Sequence, residues 1–118
     1  MPGSNGPAIR MDVERHEEVV VVRPHGRITQ LESQTLSDEM MARLEEGVHH
    51  LILDLGDVPF LTSSCLGAIM AAHKRAREIG ASILIAETQP LVRDILAATK
   101  LTKLFPLFDS VEEALAAP

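Results

Sequence analysis

Short apolar runs along the chain alternate with stretches in which apolar residues recur at helical spacing. From Ile9 to Arg15, Ile9, Met11 and Val13 alternate with polar residues, the period of a half-buried strand. His16-Glu17-Glu18 is a polar turn, and the β-branched run Val19-Val20-Val21-Val22 follows as a buried strand, so the two form a hairpin. Pro24 and Gly26 predict that the second strand bends or meets an edge towards its end. Thr29-Gln30-Leu31-Glu32 has capping-box spacing for a helix start, with Ser33 as a competing cap. Leu36, Met40 and Leu44 then make one apolar stripe, and Gly47 supplies the stop.

Leu51-Ile52-Leu53-Asp54-Leu55 is nearly all apolar and reads as an interior strand of a parallel pairing. After a Gly/Pro-broken loop over residues 56–61, Leu66, Ile69, Met70, His73 and Ala76 share a helix face, with Lys74, Arg75, Arg77 and Glu78 on the other side. Gly80 ends that helix, Ile83-Leu84-Ile85 is the next interior strand, and Pro90 opens a further helix with a stripe of Leu91, Ile95 and Leu96. Leu104-Phe105-Pro106-Leu107-Phe108 is a short, Pro-broken edge piece, and Ser110-Val111-Glu112-Glu113 is a second capping box that opens a terminal helix. The order is β-β-α-β-α-β-α-β-α, which predicts an α/β (α+β) fold with a mixed sheet, an N-terminal hairpin and helices packed on the sheet.

At 118 residues, one domain over residues 9–118 is expected, behind a Gly/Pro-rich flexible leader over residues 1–8. Aromatics are only 3%, without Trp or Tyr, so the core is aliphatic and base-stacking platforms are lacking. The net charge of −6 argues against direct nucleic-acid binding. A single cysteine, Cys65, forms no internal disulfide and suits a reducing compartment. No apolar run has the length of a membrane span, so no membrane insertion and a cytoplasmic location are expected.

The chemistry concentrates in Thr62-Ser63-Ser64, three hydroxyls at the start of the second helix. Such hydroxyls can be plain caps. They can also receive a phosphate, because backbone N–H groups and the helix dipole favour an anion there. By position, Ser64 reads as the cap. Cys65 reads as a small packed residue, since spacing implies no His or acidic partner for it. His49 and His50 point to opposite faces of a strand, so no metal site is expected there. Asp54 reads as a brace for the following loop, His73 as a packed neighbour of the core, and Lys74, Arg75 and Arg77 as a solvated strip. No carboxylate pair, phosphate cradle or nucleophile–base set is present, so neither an enzyme nor a cofactor is expected.

Gly26-Arg27-Ile28, the strand Leu51–Leu55, Ser63-Ser64-Cys65-Leu66-Gly67, Ala72-His73-Lys74-Arg75-Ala76-Arg77 and the segment Thr99–Ser110, in this order and spacing, resemble the STAS domain of bacterial anti-sigma-factor antagonists. The resemblance runs from about Ile9 to Ala117. It implies a binding protein that regulates transcription, with an anti-sigma factor that is also a serine-protein kinase as partner. It also implies phosphorylation at Ser63, with Ser64 and Thr62 ranked behind it. Thr29, Thr62, Ser63, Ser64, Leu66, Gly67 and Lys74 are the expected partner-binding residues. Thr62 stands where the family usually has Asp, and Cys65 where it usually has Gly. The alternative is a STAS scaffold or adaptor that never cycles through phosphate, in a signalling assembly or with a lipid-transport ATPase. A homodimer through either sheet edge is left open.

Overall fold

A four-valine run with no polar position needs cover on both faces, and it lies inside a five-stranded sheet. The computed structural model describes residues 9–117. Its elements are β1 (Arg10–His16), β2 (Val19–His25), α1 (Gln30–Glu45), β3 (His50–Asp54), α2 (Ser63–Glu78), β4 (Ser82–Ala86), α3 (Pro90–Ala98), a 3-10 turn (Leu101–Lys103), β5 (Leu107–Phe108) and α4 (Val111–Ala116). The strands lie in the order β1-β2-β3-β4-β5. The first pair is antiparallel and the other three are parallel, so the mixed sheet and its hairpin match the expectation. The expected leader lies outside the described residues.

The two faces of the sheet are covered unequally. On one, Leu36, Met40 and Leu44 of α1, Cys65, Ile69 and Ala72 of α2, and Val92 and Leu96 of α3 share a core with alternate strand residues such as Val20, Val22, Leu51 and Leu53. On the other, Val21, Ile52, Leu84 and Ala86 lie under Ala114 of α4, with Val111 and Leu115 beside it. Each fully buried aliphatic side chain contributes about 1.5–3 kcal/mol, the main favourable contribution in a core whose one fully buried aromatic among the described residues is Phe105. Pro24 is tolerated inside β2 because the pairing of β2 with β3 ends at Val22 and Leu53, leaving only β1 alongside.

Four details differ from the sequence reading. β1 begins and ends one residue later than expected, and Val13 is 40% exposed, because the helices stop short of the edge strand. The buried stripe of α2 is Cys65, Ile69, Ala72 and Ala76, with Leu66, Met70 and His73 half-buried on its flank. Small residues face the sheet there, and a reading that weights bulky apolar residues rotates the helix by one position. In α3 the anchor is Val92, four residues before Leu96, while Leu91 is exposed. The last strand contracts to Leu107–Phe108, because Leu101–Lys103 winds into a 3-10 turn and the Leu104 and Phe105 N–H groups donate back to the Leu101 carbonyl.

Candidate functional site

The loop from Leu55 to Leu61 is held from three sides. Asp54, 4% exposed, accepts the Gly56 N–H through Oδ1 at 2.9 Å and the Arg23 Nε–H through Oδ2 at 2.7 Å. This is the loop brace expected of that carboxylate, and its hydrogen bond keeps the Arg23 guanidinium charged more firmly than usual. Gln89 Nε2 donates to the Gly56 carbonyl at 2.9 Å, and the Gly26 N–H donates to the Asp57 carbonyl at 2.9 Å. A Cβ on Gly56 would lie 3.1 Å from Asp54 Oδ1 and 3.2 Å from Glu87 Cβ, so a side chain here would crowd both neighbours. Further along, the Arg27 guanidinium sits 5.6 Å from the centre of the Phe60 ring.

Thr62, not Ser64, is the N-cap of α2. Its Oγ1 accepts the Cys65 N–H at 3.1 Å and donates to the Ile28 carbonyl at 3.1 Å. One hydroxyl therefore caps the helix and ties its start to the segment that opens α1. A side chain three residues before the N–H it caps has the right reach, and Ser64, the second residue of the helix, is already too far in. Ser63 is the first residue of α2 and is exposed. No acidic residue stands in the first turn of that helix. Cys65 is fully buried, and burial pushes its thiol up to about 12, which makes it a packing residue rather than a nucleophile.

α1 starts where its box motif requires: the Glu32 carboxylate accepts the Thr29 N–H at 2.9 Å. Ser33 lies inside the helix, and its hydroxyl donates to the Thr29 carbonyl at 2.8 Å. Between the first turns of α1 and α2 runs a groove of about 330 Å³, lined by Gln30, Ser33, Gln34 and Ser37 on one side and Ser64, Gly67, Ala68 and Ala71 on the other. Leu31, 63% exposed, stands on the outer side of α1 beside Gln30 and Gln34.

Of the expected contact residues, Thr29, Thr62, Ser63, Ser64 and Gly67 converge on this end of the two helices. Leu66 turns half-buried towards the core, and Lys74, though exposed, lies ~16 Å along the α2 axis from Ser63 at 1.5 Å per residue. Arg75 does not simply face water. It bridges the helices by donating to Glu45 at 2.7 and 3.2 Å, and it donates to Glu78 at 3.2 Å. The bridge holds the Glu45 carboxyl below the usual range. Gln30 and Leu31, which the sequence marks only as part of a capping box, and Gln34 and Ser37 join the site through the packing of α1 beside α2. The matched small residues Ser33 and Ser37 on one helix and Ser64, Gly67 and Ala71 on the next were the available signal. His73 packs its ring edge against Phe105, centroids 4.9 Å apart. No helix among the described residues is long and apolar enough to cross a membrane.

Residues 10–114 match the family model of the STAS domain. The anti-sigma F factor antagonist of Paenibacillus polymyxa is 28% identical over 112 residues, covering 91% of this chain and 92% of that protein. The crystal structure of an anti-sigma factor antagonist from Mycobacterium paratuberculosis superposes with a TM-score of 0.82 at 28% identity, covering 92% of each chain. The phosphorylated form of the Bacillus cell fate determinant SpoIIAA shares the fold, with a TM-score of 0.72 at 17% identity over 90% of this chain and 96% of that one. With the mixed sheet, the paired helix starts and the hydroxyl-capped α2 in place, the chain belongs to the STAS domain family, whose anti-sigma factor antagonists are regulators rather than enzymes.

Proposed function

We propose that this protein is an anti-sigma factor antagonist that docks a serine-kinase anti-sigma factor through the start of α1 and α2 and is released by phosphorylation of Ser63. The observation that carries this reading is the division of labour at the α2 start. Thr62 is committed to two hydrogen bonds and Cys65 is buried, whereas Ser63 is exposed next to Ser64, which lines a groove between two helices. A neutral hydroxyl is compatible with an interface. A phosphate there adds about −1.5 to −2 charges. The α2 N-terminus tolerates that anion, favouring it by about 0.3–1 kcal/mol, so the domain stays folded. An interface closed over it loses several kcal/mol, and about 1.4 kcal/mol is tenfold in affinity. The switch acts in the cytoplasm on another protein and needs no contact with nucleic acid.

The test uses Ser63→Ala to capture the kinase from the host and then incubates the native protein with it and ATP. One phosphate mapped to Ser63, with loss of the complex, is the expected result. No phosphate, or phosphate elsewhere, defeats the switch. A second reading, a scaffold that never cycles, is favoured by the first turn of α2, which has no acidic residue next to the acceptor. It calls for a stable assembly indifferent to Ser63→Asp.

A further inference from the structure

On the far side of the same loop, His25 at the end of β2 has a carboxylate on each ring nitrogen. Nε2 lies 2.8 Å from Asp12 Oδ2 on β1, and Nδ1 lies 2.6 Å from Asp57 Oδ2 on the loop between β3 and α2. A neutral imidazole has one N–H and one lone pair. It would satisfy one carboxylate and turn its lone pair on the other. Only the imidazolium, with two N–H groups, fits both. Among the described residues, the other charges around it are Arg10, directly across on β1, and Arg23, which lies opposite Asp12 and is itself taken by Asp54. Arg10 opposes a charge on His25, but the hydrogen bonds to Asp12 and then Asp57 outweigh it and hold the imidazole above its ordinary range.

We propose that His25 is a pH-responsive lock that, in its imidazolium form, pins the loop between β3 and α2 to the N-terminal hairpin. The Gly26 N–H bond to the Asp57 carbonyl sits beside it, so ring and backbone hold the same residue. The sign follows from the two partners. His25 is raised, so its contribution is complete below about 6.5, the value of a solvated histidine, and is lost as pH rises through its higher folded-state value. Asp12 is lowered, chiefly by its hydrogen bond to His25, so its contribution is present above the ordinary carboxylate range and fades as pH falls through that lowered value. The lock is closed in mild acid and loosens on alkalinisation, when the neutral ring can keep only one of the two carboxylates, while the Gly26 and Gly56 backbone bonds still anchor the loop that leads to Thr62 and Ser63. It operates whether or not Ser63 carries phosphate.

The experiment is an NMR pH titration of the whole chain that follows the His25 ring nitrogens and the amides of Gly26 and residues 57–61. Expected are two protonated ring nitrogens at pH 6.5, a midpoint above that of a solvated histidine, and a step in the loop amides at the same midpoint. The Asp12 and Asp57 side chains are 53% and 63% exposed, so Asp57→Asn leaves the core untouched. It should move the midpoint down towards about 6.5 and abolish the loop step. A midpoint at or below 6.5, loop amides that ignore it, or an unchanged midpoint in Asp57→Asn each overturns the lock.

Discussion

Thr62 and Ser63 are adjacent hydroxyls with opposite duties. Thr62 holds the fold together, so Thr62→Ala should cost about 1 kcal/mol for the lost cap. Loss of the bond to the Ile28 carbonyl adds about 0.5–1.5 kcal/mol. A urea unfolding midpoint measures both, and Thr62→Ser should recover most of the loss. Ser63 is exposed, so Ser63→Ala should leave stability within about 0.5 kcal/mol of native. Equal and large losses at both positions would contradict this division. Gly56 is a second sensitive residue. Asp54 is fixed by Arg23 and by the Gly56 N–H, and Glu87, held at φ 64, gives its carboxylate to the Val111 N–H at 2.9 Å. Neither neighbour can yield to a methyl, so Gly56→Ala should destabilise by about 1–3 kcal/mol.

At the scale of elements, the sequence was readable wherever periodicity and capping agreed. α1 starts at the expected box and stops before Gly47, and the interior strands β3 and β4 fall on the two apolar runs read as interior strands. Legibility failed where small residues or a sheet edge decided the outcome. Cys65 and Ala72 face the sheet because α2 packs close to it, and Val13 is left 40% exposed because it lies on the edge strand β1. The candidate site was half visible. The hydroxyl run announced the start of α2, but the bond from Thr62 to Ile28 joins residues 34 apart, and no local pattern encodes such a tertiary contact. The groove between α1 and α2 likewise exists only once both helices stand on the same face of the sheet. Arg23 is a test at this scale. Its removal leaves Asp54 buried with only the Gly56 N–H, so Arg23→Met should cost on the order of 3 kcal/mol by urea denaturation, and a neutral outcome would show that the brace is idle.

For the whole molecule, the sheet is a platform with α1, α2 and α3 on one face and α4 on the other, and the groove beside Ser63 lies at one end of the helical layer. Stability should depend on pH through two histidines acting in opposite senses. Burial against Phe105, with help from Arg77, holds His73 below its ordinary range. As pH falls, the unfolded chain takes up that proton first, so the contribution of His73 is lost as pH drops from about 6.5 towards its lower folded-state value. His73→Leu should therefore narrow the gap between urea midpoints at pH 7.5 and pH 5, and an unchanged gap would remove His73 as its cause. Docking is also a property of the whole surface, because a phosphate acts on it only through what covers it. The most direct measurement is the affinity of the captured anti-sigma factor for two forms of this chain, one with Ser63 free and one with phosphoserine installed at position 63. With circular dichroism unchanged between the forms, we expect the phosphorylated chain to bind at least about 100-fold more weakly, a difference of about 2.7 kcal/mol; equal affinity for the two forms would contradict the switch.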